Sequence, residues 1–167
     1  IAGNVDESFI KEVEKLFGSF ERGKTEETSA TKATFHMNTL HRKKETEQAH
    51  LCLGFEGLSI GDPNSYSLVV MNNILGGSMS SRLFQEVREQ RGLAYSIYSY
   101  HSSYKDSGLV TIYGGTGAKQ MDVLFETIQQ TLDAFKRDGI TEKELLNSKE
   151  QLKGNLMLSL ESTNSRM

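Results

Sequence analysis

The apolar residues of the chain recur at helical spacing in several segments, which predicts five helices. The most regular segment contains six apolar residues: Met121, Leu124, Phe125, Ile128, Leu132 and Phe135. Residues that favour helix ends flank these segments. The first helix is predicted to follow Asn4 or Asp6 and to end near Gly18. The others are predicted at about 63–75, 80–91, 121–138 and from Thr141 onwards.

Alternation of apolar and polar residues predicts strands between these helices. Residues 48–55 alternate most regularly, and residues 93–100 and 108–113 are predicted to pair as an antiparallel hairpin. Weaker strands are predicted at residues 1–4 and 35–40. Paired strands followed by runs of helices indicate an α+β fold, with a largely antiparallel sheet and helices packed mainly on one face.

The composition is typical of a globular protein of 167 residues, with 37% hydrophobic and 25% charged residues. A net charge of −3 argues against a broad nucleic-acid surface, and no apolar run is long enough to span a membrane. We therefore expect neither nucleic acid nor a membrane as a partner. Cys52 is the only cysteine, which suits a reducing compartment. The expected location is the cytoplasm, or the mitochondrial matrix if the source is eukaryotic.

Two glycine-rich motifs suggest chemistry, but each has a simpler interpretation. Residues 57–61 match the G-x-S-x-G pattern of a hydrolase nucleophile, with Ser59 as nucleophile and His101 as the one downstream histidine. The helix that should begin at the serine starts several residues later, which favours a polar loop. Residues 114–119 could hold a phosphate at a helix start, but they lack the P-loop spacing, which favours a tight turn.

The histidines and tyrosines form no obvious site in the sequence. His36, His41, His50 and His101 lie outside any zinc-binding motif, so no metal site is predicted in this chain. Four tyrosines, Tyr95, Tyr98, Tyr100 and Tyr104, could form a stacking platform. If residues 93–100 form one strand, however, Tyr95 faces away from Tyr98 and Tyr100.

One stretch carries a specific resemblance. Residues 74–100, ILGGSMSSRLFQEVREQRGLAYSIYSY, resemble the C-terminal half of pitrilysin-family zinc peptidases, in particular the bacterial two-domain processing protease type. Residues 1–20 resemble the closing strand and helix of that family's first domain. Residues 44–77 resemble the opening of its second domain. The expected organisation is therefore the end of the first domain at 1–20, a polar linker at 21–34, and a second, substrate-binding domain at 35–167 that is truncated at its C-terminus.

The resemblance implies roles for two residues. The family's second domain supplies an arginine and a tyrosine separated by six residues, as Arg88 and Tyr95 are here. Arg88 is expected to bind the peptide substrate, and Tyr95 to bind it and stabilise the oxyanion as a catalytic residue. The family's first domain carries zinc on an H-x-x-E-H motif, which this sequence lacks. The complete protein is thus expected to be a zinc endopeptidase, and this fragment alone to bind no zinc and to be inactive.

The expected partners are a peptide substrate and the metal-binding domain of the same or a partner chain, with a homodimer possible. A non-catalytic relative that acts as a structural or partner-binding subunit is the alternative within the family. Outside the family, a small-molecule-binding α+β domain remains an alternative.

We also expect residues 1–17 to return to a vacant position beside the sheet, in the same or a neighbouring chain, because their strand and helix match the shape of the missing closing elements.

Overall fold

The structure is a computed structural model that describes residues 3–21, 23 and 33–167. The helices are α1 (Glu7–Phe17), α2 (Ser65–Leu75), a π-helix (Phe84–Gln90), a 3₁₀ turn (Ala118–Gln120), α3 (Met121–Asp138), α4 (Glu142–Ser159) and α5 (Thr163–Arg166). The strands are β1 (Ala49–Glu56), β2 (Ser96–Ser103) and β3 (Gly108–Thr116). The chain divides into two compact units, one of residues 1–30 with 150–167 and one of residues 31–149. The domain boundaries expected from the sequence stay a prediction.

The larger unit is built on an antiparallel sheet in the order β1-β3-β2. The register sets Leu53 opposite Ile112, and Ile112 opposite Ser99, so the inward side chains of all three strands meet on one face. The predicted α+β fold with an antiparallel sheet is confirmed. The predicted hairpin is also present, although β2 begins at Ser96 rather than at residue 93.

The core fills the space between one face of the sheet and the helices α2, α3 and the π-helix. Its fully buried members are Leu83, Val87, Ile112, Leu124 and Ile128. Leu124 and Ile128 belong to the apolar stripe of α3, Val87 to the π-helix and Ile112 to the central strand, while Leu83 directly precedes the π-helix. The π-helix and the sheet are therefore fixed to each other through packed side chains.

Two of the weaker strand predictions differ from the structure. Residues 35–40 form no strand, and Met37 and Leu40 are about nine-tenths exposed, at 94% and 90%. The prediction there is wrong because a strand also needs a neighbouring strand and a surface on which its apolar side chains can pack, and alternation alone provides neither. In the predicted strand at residues 1–4, Ile1 and Ala2 lie outside the described residues, and Gly3 and Asn4 form a bend.

The smaller unit contains α1, which the sequence predicted. Asp6 caps it by accepting a hydrogen bond from the Phe9 backbone N–H at 2.9 Å, and Gly18 follows its last turn. No residue of α1 is buried. The expected return of residues 1–17 to the sheet concerns the relative placement of the two units, and it stays a prediction. Within the described part of the chain, no helix combines the length and apolarity that crossing a bilayer requires.

A polar network joins the start of the π-helical segment to the start of α4. Arg82 donates two hydrogen bonds to the carboxylate of Glu144, at 2.7 and 2.9 Å, and a third to the Gly139 carbonyl oxygen at 2.7 Å. Glu144 also accepts from the backbone and hydroxyl of Thr141, which completes the predicted capping box. The Arg82 guanidinium lowers the pKa of Glu144 to about 2, and the hydrogen bonds from Thr141 add to the effect.

This network predicts a pH-dependent contribution to stability. Because the Glu144 pKa is lower in the folded state, the contribution is complete above the unfolded-state pKa near 4.5 and is lost as the pH falls toward 2. We expect Glu144→Gln to lower the free energy of unfolding by about 1–2 kcal/mol at pH 7, allowing for partial solvent screening, and by much less at pH 2.5. Glu142→Gln, an exposed neighbour in the same first turn, is the control. Urea unfolding at both pH values measures the difference, and an equal loss at both would contradict the assignment.

Candidate functional site

The helix that carries Arg88 is a π-helix over most of its length. The sequence predicted an ordinary helix at 80–91, but residues Phe84–Gln90 have the wider π geometry. Its i→i+5 hydrogen bonding brings residues four apart nearly into line along the axis, so that Phe84 and Arg88 stack. The Arg88 Cζ lies 4.8 Å from the centroid of the Phe84 ring. Short π segments occur frequently at functional sites, so this departure marks the region as a candidate.

Arg88 also lies over the ring of Tyr95. Its Cζ is 4.4 Å from the Tyr95 centroid, a distance at which a cation is attracted to the face of an aromatic ring. The structure therefore brings together the two predicted site residues. The Tyr95 side chain is 75% exposed, so its hydroxyl is accessible to another molecule. Within the described residues, the one carboxylate ion-paired with Arg88 is that of Glu89, at a loose 3.6 Å, which leaves the guanidinium N–H groups available.

The separation of Arg88 and Tyr95 is fixed by a tight junction at Gly92. This glycine has φ +59°, which residues with a side chain rarely adopt. Its N–H donates to the Arg88 carbonyl oxygen at 3.1 Å, and the next N–H, of Leu93, donates to Val87 at 2.9 Å. The Leu93 carbonyl oxygen in turn accepts from the Thr116 hydroxyl at 2.5 Å. The helix end and the strand start are thus hydrogen-bonded to each other and to β3.

The pair borders an open cavity of about 320 Å³. Its lining includes Met79, Phe84, Arg88, Tyr95, Ile97 and Tyr98. Tyr95 and Tyr98 both border this cavity, and the Tyr98 ring also packs on Tyr113, with centroids 5.0 Å apart. Because β2 begins at Ser96, the alternation of strand side chains does not extend back to Tyr95.

Gly76 brings the loop after α2 against the edge of β2. A Cβ at this position would lie 2.6 Å from the Ser99 hydroxyl oxygen and 2.7 Å from its backbone nitrogen. The Ser99 N–H donates to the Gly76 carbonyl oxygen at 2.9 Å. Gly76 and Gly77, which directly follow α2, therefore also close one side of the cavity.

The alternative chemistries find no support in the geometry. Ser59 lies in the loop between β1 and α2, and no hydrogen bond joins it to His101 among the described residues. Gly114 and Gly115 lie within β3 rather than in a phosphate-binding loop. A Cβ at Gly114 would lie 3.0 Å from the Leu124 side chain, so this glycine serves packing against α3.

The histidines do not form a metal site in the described part of the chain. His50 Nδ1 is 2.8 Å from the Tyr113 hydroxyl, on the sheet face opposite the core. No group of three or more His, Cys, Asp or Glu side chains among the described residues could hold a metal ion. Zinc therefore has no fitting ligand set among the residues that the structure describes.

Comparison with known proteins decides the family. Residues 1–152 match the family described as the peptidase M16 inactive domain. The chain belongs to this family. The resemblance to pitrilysin-type zinc peptidases is thereby confirmed, and the matched domain is the one described as inactive.

Relatives of this M16 inactive domain agree with the match. An uncharacterized zinc protease of Bacillus subtilis (strain 168), YmxG, is 68% identical over 167 residues, which are 100% of this chain and 41% of that protein. The M16 inactive domain from Pseudomonas fluorescens has a TM-score of 0.63 at 33% identity, over 65% of this chain and 27% of that one. A protease from Helicobacter pylori, at 21% identity, shares the fold with a TM-score of 0.82, over 98% of this chain and 41% of that one. The chain thus spans about two fifths of the length of the B. subtilis relative.

The loop packing of this M16 domain predicts a contrast between two glycines. Gly76→Ala should lower the free energy of unfolding by about 1–3 kcal/mol, because the new methyl group would overlap Ser99. Gly54→Ala in β1 is the matched control, since a Cβ there meets nothing within 4 Å. Denaturant unfolding compares them, and equal stability of the two variants would contradict the close packing of this loop on β2.

Proposed function

We propose that this chain is the substrate-binding half of a zinc-dependent endopeptidase, a hydrolase of the processing protease type. The observation that carries the proposal is the stacked pair of Arg88 and exposed Tyr95 at the edge of a cavity. The names of relatives, which are zinc proteases, support the reaction class. A peptide substrate is accordingly the expected ligand.

Arg88 would hold the peptide backbone. Stacking on the rings of Phe84 and Tyr95 uses the faces of the planar guanidinium and leaves its edge, where all the N–H groups lie, free for acceptors. A carbonyl oxygen of an extended peptide is such an acceptor. Because both rings restrict the guanidinium, less conformational freedom is lost when the peptide binds.

Tyr95 would stabilise the transition state. Hydrolysis of a peptide bond develops negative charge on the carbonyl oxygen, and the Tyr95 hydroxyl can donate a hydrogen bond to it. A preorganised donor of this kind contributes about 3–4 kcal/mol. The junction at Gly92 and the contact with Arg88 supply the preorganisation.

The metal would be held elsewhere in the complete protein. Because the described residues offer no ligand set, we place zinc on a metal-binding domain of the same or a partner chain, with which this unit pairs. When bound there, zinc would supply electrophilic activation of the peptide carbonyl and of water. We also propose that the protein forms a homodimer and is located in the cytoplasm.

Removal of one hydroxyl tests the role of Tyr95. In the full-length protease, Tyr95→Phe should lower kcat by about ten- to a thousandfold with little change in KM, because the donor acts mainly in the transition state. Tyr100→Phe is the matched control, since Tyr100 is 46% exposed and lies outside the cavity lining. Steady-state cleavage of a fluorogenic peptide measures both. If Tyr95→Phe kept the wild-type kcat, Tyr95 would have only a structural role. That result would favour the non-catalytic alternative.

The role of Arg88 is tested by a change that keeps its charge. Arg88→Lys should raise KM by about tenfold, because lysine lacks the planar fork that stacks and donates along one edge. Arg137→Lys, at an exposed position of α3 beside Asp138, is the control. Peptide cleavage over a range of substrate concentrations separates KM from kcat. Equal KM values for wild type and Arg88→Lys would show that a positive charge alone suffices.

A further inference from the structure

The buried side chains of the π-helical segment do not by themselves select π geometry. Leu83 and Val87 are fully buried, and their spacing of four residues fits an α-helix as well. A long run of π hydrogen bonds is unusual, because this geometry occurs mostly as single-turn insertions in α-helices. Here it extends over the seven residues Phe84–Gln90. Contacts outside the core therefore have to hold it.

Arg82 holds the start of this segment. It lies two residues before the π-helix, and its guanidinium donates to both carboxylate oxygens of Glu144 and to the Gly139 carbonyl oxygen. Its Cζ also lies 4.8 Å from the centroid of the Phe135 ring. A planar fork that makes several hydrogen bonds has one preferred orientation, unlike a single ion pair. The start of the π-helix is thus fixed to α3, to α4 and to the turn between them.

The end of the segment is fixed separately, at the Gly92 junction. The Leu93 N–H donates to the carbonyl oxygen of Val87, six residues earlier, which is one residue wider than a π-helical hydrogen bond. An α-helix has fewer residues per turn and a larger rise per residue than a π-helix, so a change to α geometry would lengthen the segment. Because both ends are held, the segment cannot make this change.

Phe84 is the side chain that depends most on the π geometry. It is the first residue of the π-helix and lies next to the end that Arg82 anchors, whereas Arg88 lies next to the Gly92 junction. The Phe84 ring stacks on the Arg88 guanidinium, with 4.8 Å from the Arg88 Cζ to the ring centroid. A change to α geometry would turn these two side chains relative to each other about the helix axis. The Phe84 ring would then leave the guanidinium.

We propose that Arg82 and Glu144 are positioning residues for the candidate site. Through the start of the π-helix they hold the Phe84 ring against Arg88 and so orient the guanidinium for an incoming acceptor. The consequence for peptide binding rests on the proposed function, whereas the control of the Arg88 side chain does not. The Arg82–Glu144 pair thereby has a role beyond its contribution to stability.

The first test follows the Arg88 side chain without reference to activity. In the full-length protein with isotope-labelled arginine, the rings of Phe84 and Tyr95 should shift the NMR signal of the Arg88 Nε–H proton upfield. Loss of that signal in Arg88→Lys identifies it. Glu144→Gln keeps the size of the side chain but removes its charge, and it should move the Arg88 signal downfield because the Phe84 ring is released.

Two further variants make this test decisive. Thr141→Ala is the matched control, because it removes a hydroxyl that caps α4 and donates to Glu144 but leaves Arg82 paired with Glu144. It should lower the midpoint of urea unfolding and leave the Arg88 signal in place. Arg82→Met removes all three guanidinium hydrogen bonds and should move the signal at least as far as Glu144→Gln does. An Arg88 signal that stays in place in both Glu144→Gln and Arg82→Met would overturn the proposal.

Peptide cleavage by the full-length protease measures the consequence for binding. Glu144→Gln should raise KM by about threefold and leave kcat within about twofold of wild type, because the orientation of Arg88 is lost but that of Tyr95 is kept. Thr141→Ala should leave KM unchanged. In Phe84→Leu the ring is already absent, so adding Glu144→Gln should raise KM no further. KM increases that multiply in this double variant would contradict an action through Phe84.

The failure of the positioning role differs from the failure of the proposed function. A moved Arg88 signal and a raised KM in Glu144→Gln, with neither change in Thr141→Ala, support the positioning role. A wild-type KM in both Glu144→Gln and Arg82→Met would overturn its link to peptide binding. A wild-type kcat in Tyr95→Phe would overturn the proposed function alone, because the NMR signal of Arg88 does not depend on catalysis.

Discussion

The hydrogen-bonded junction at Gly92 is the constraint on which the candidate site depends. It joins the π-helix to β2 through residues 91–95, in which the Leu93 N–H donates to the Val87 carbonyl oxygen and the Leu93 carbonyl oxygen accepts from the Thr116 hydroxyl. Val87 is fully buried, so the helix side of the junction cannot shift without disturbing the core. The distance from Arg88 to Tyr95 is therefore set by the backbone, and the rings add only the final orientation.

The proposed role of Tyr95 as an oxyanion donor depends on the same junction. An oxyanion donor is effective only if it is aimed before the reaction, and rigid elements aim a side chain better than loops do. Tyr95 is exposed and stands just before a strand, yet it is tied to the core within a few residues. The exposed Tyr95 thus lies between two elements that pack on the core, the π-helix and β2, with Gly92 making the turn between them.

The sequence predicted the elements well where a buried face enforces the pattern. The stripe of α3 and the alternation of β1 appear as predicted because Leu124 and Leu53 must face the core. Residues 35–40 alternate as well, but they form no strand, and no surface among the described residues buries Met37 or Leu40. The π-helix could not be foreseen, since Leu83 and Val87 are four residues apart and this spacing fits an α-helix and a π-helix equally well. The cavity could not be foreseen either, because it depends on contacts between Gly76 and Ser99, 23 residues apart in the sequence.

Arg82 and Arg88 belong to one helical segment but differ in how far the fold uses their guanidinium groups. Arg82 is held by both oxygens of Glu144 and by a backbone carbonyl, so its donors are largely used within the fold. Arg88, six residues later, contacts the ring faces of Phe84 and Tyr95 and makes one loose ion pair with Glu89. Both guanidinium groups stack on phenylalanine, Arg82 on Phe135 and Arg88 on Phe84. What distinguishes them is the looser ion pair of Arg88, whose Nε lies 3.6 Å from the Glu89 carboxylate, whereas the Arg82 Nε lies 2.7 Å from that of Glu144.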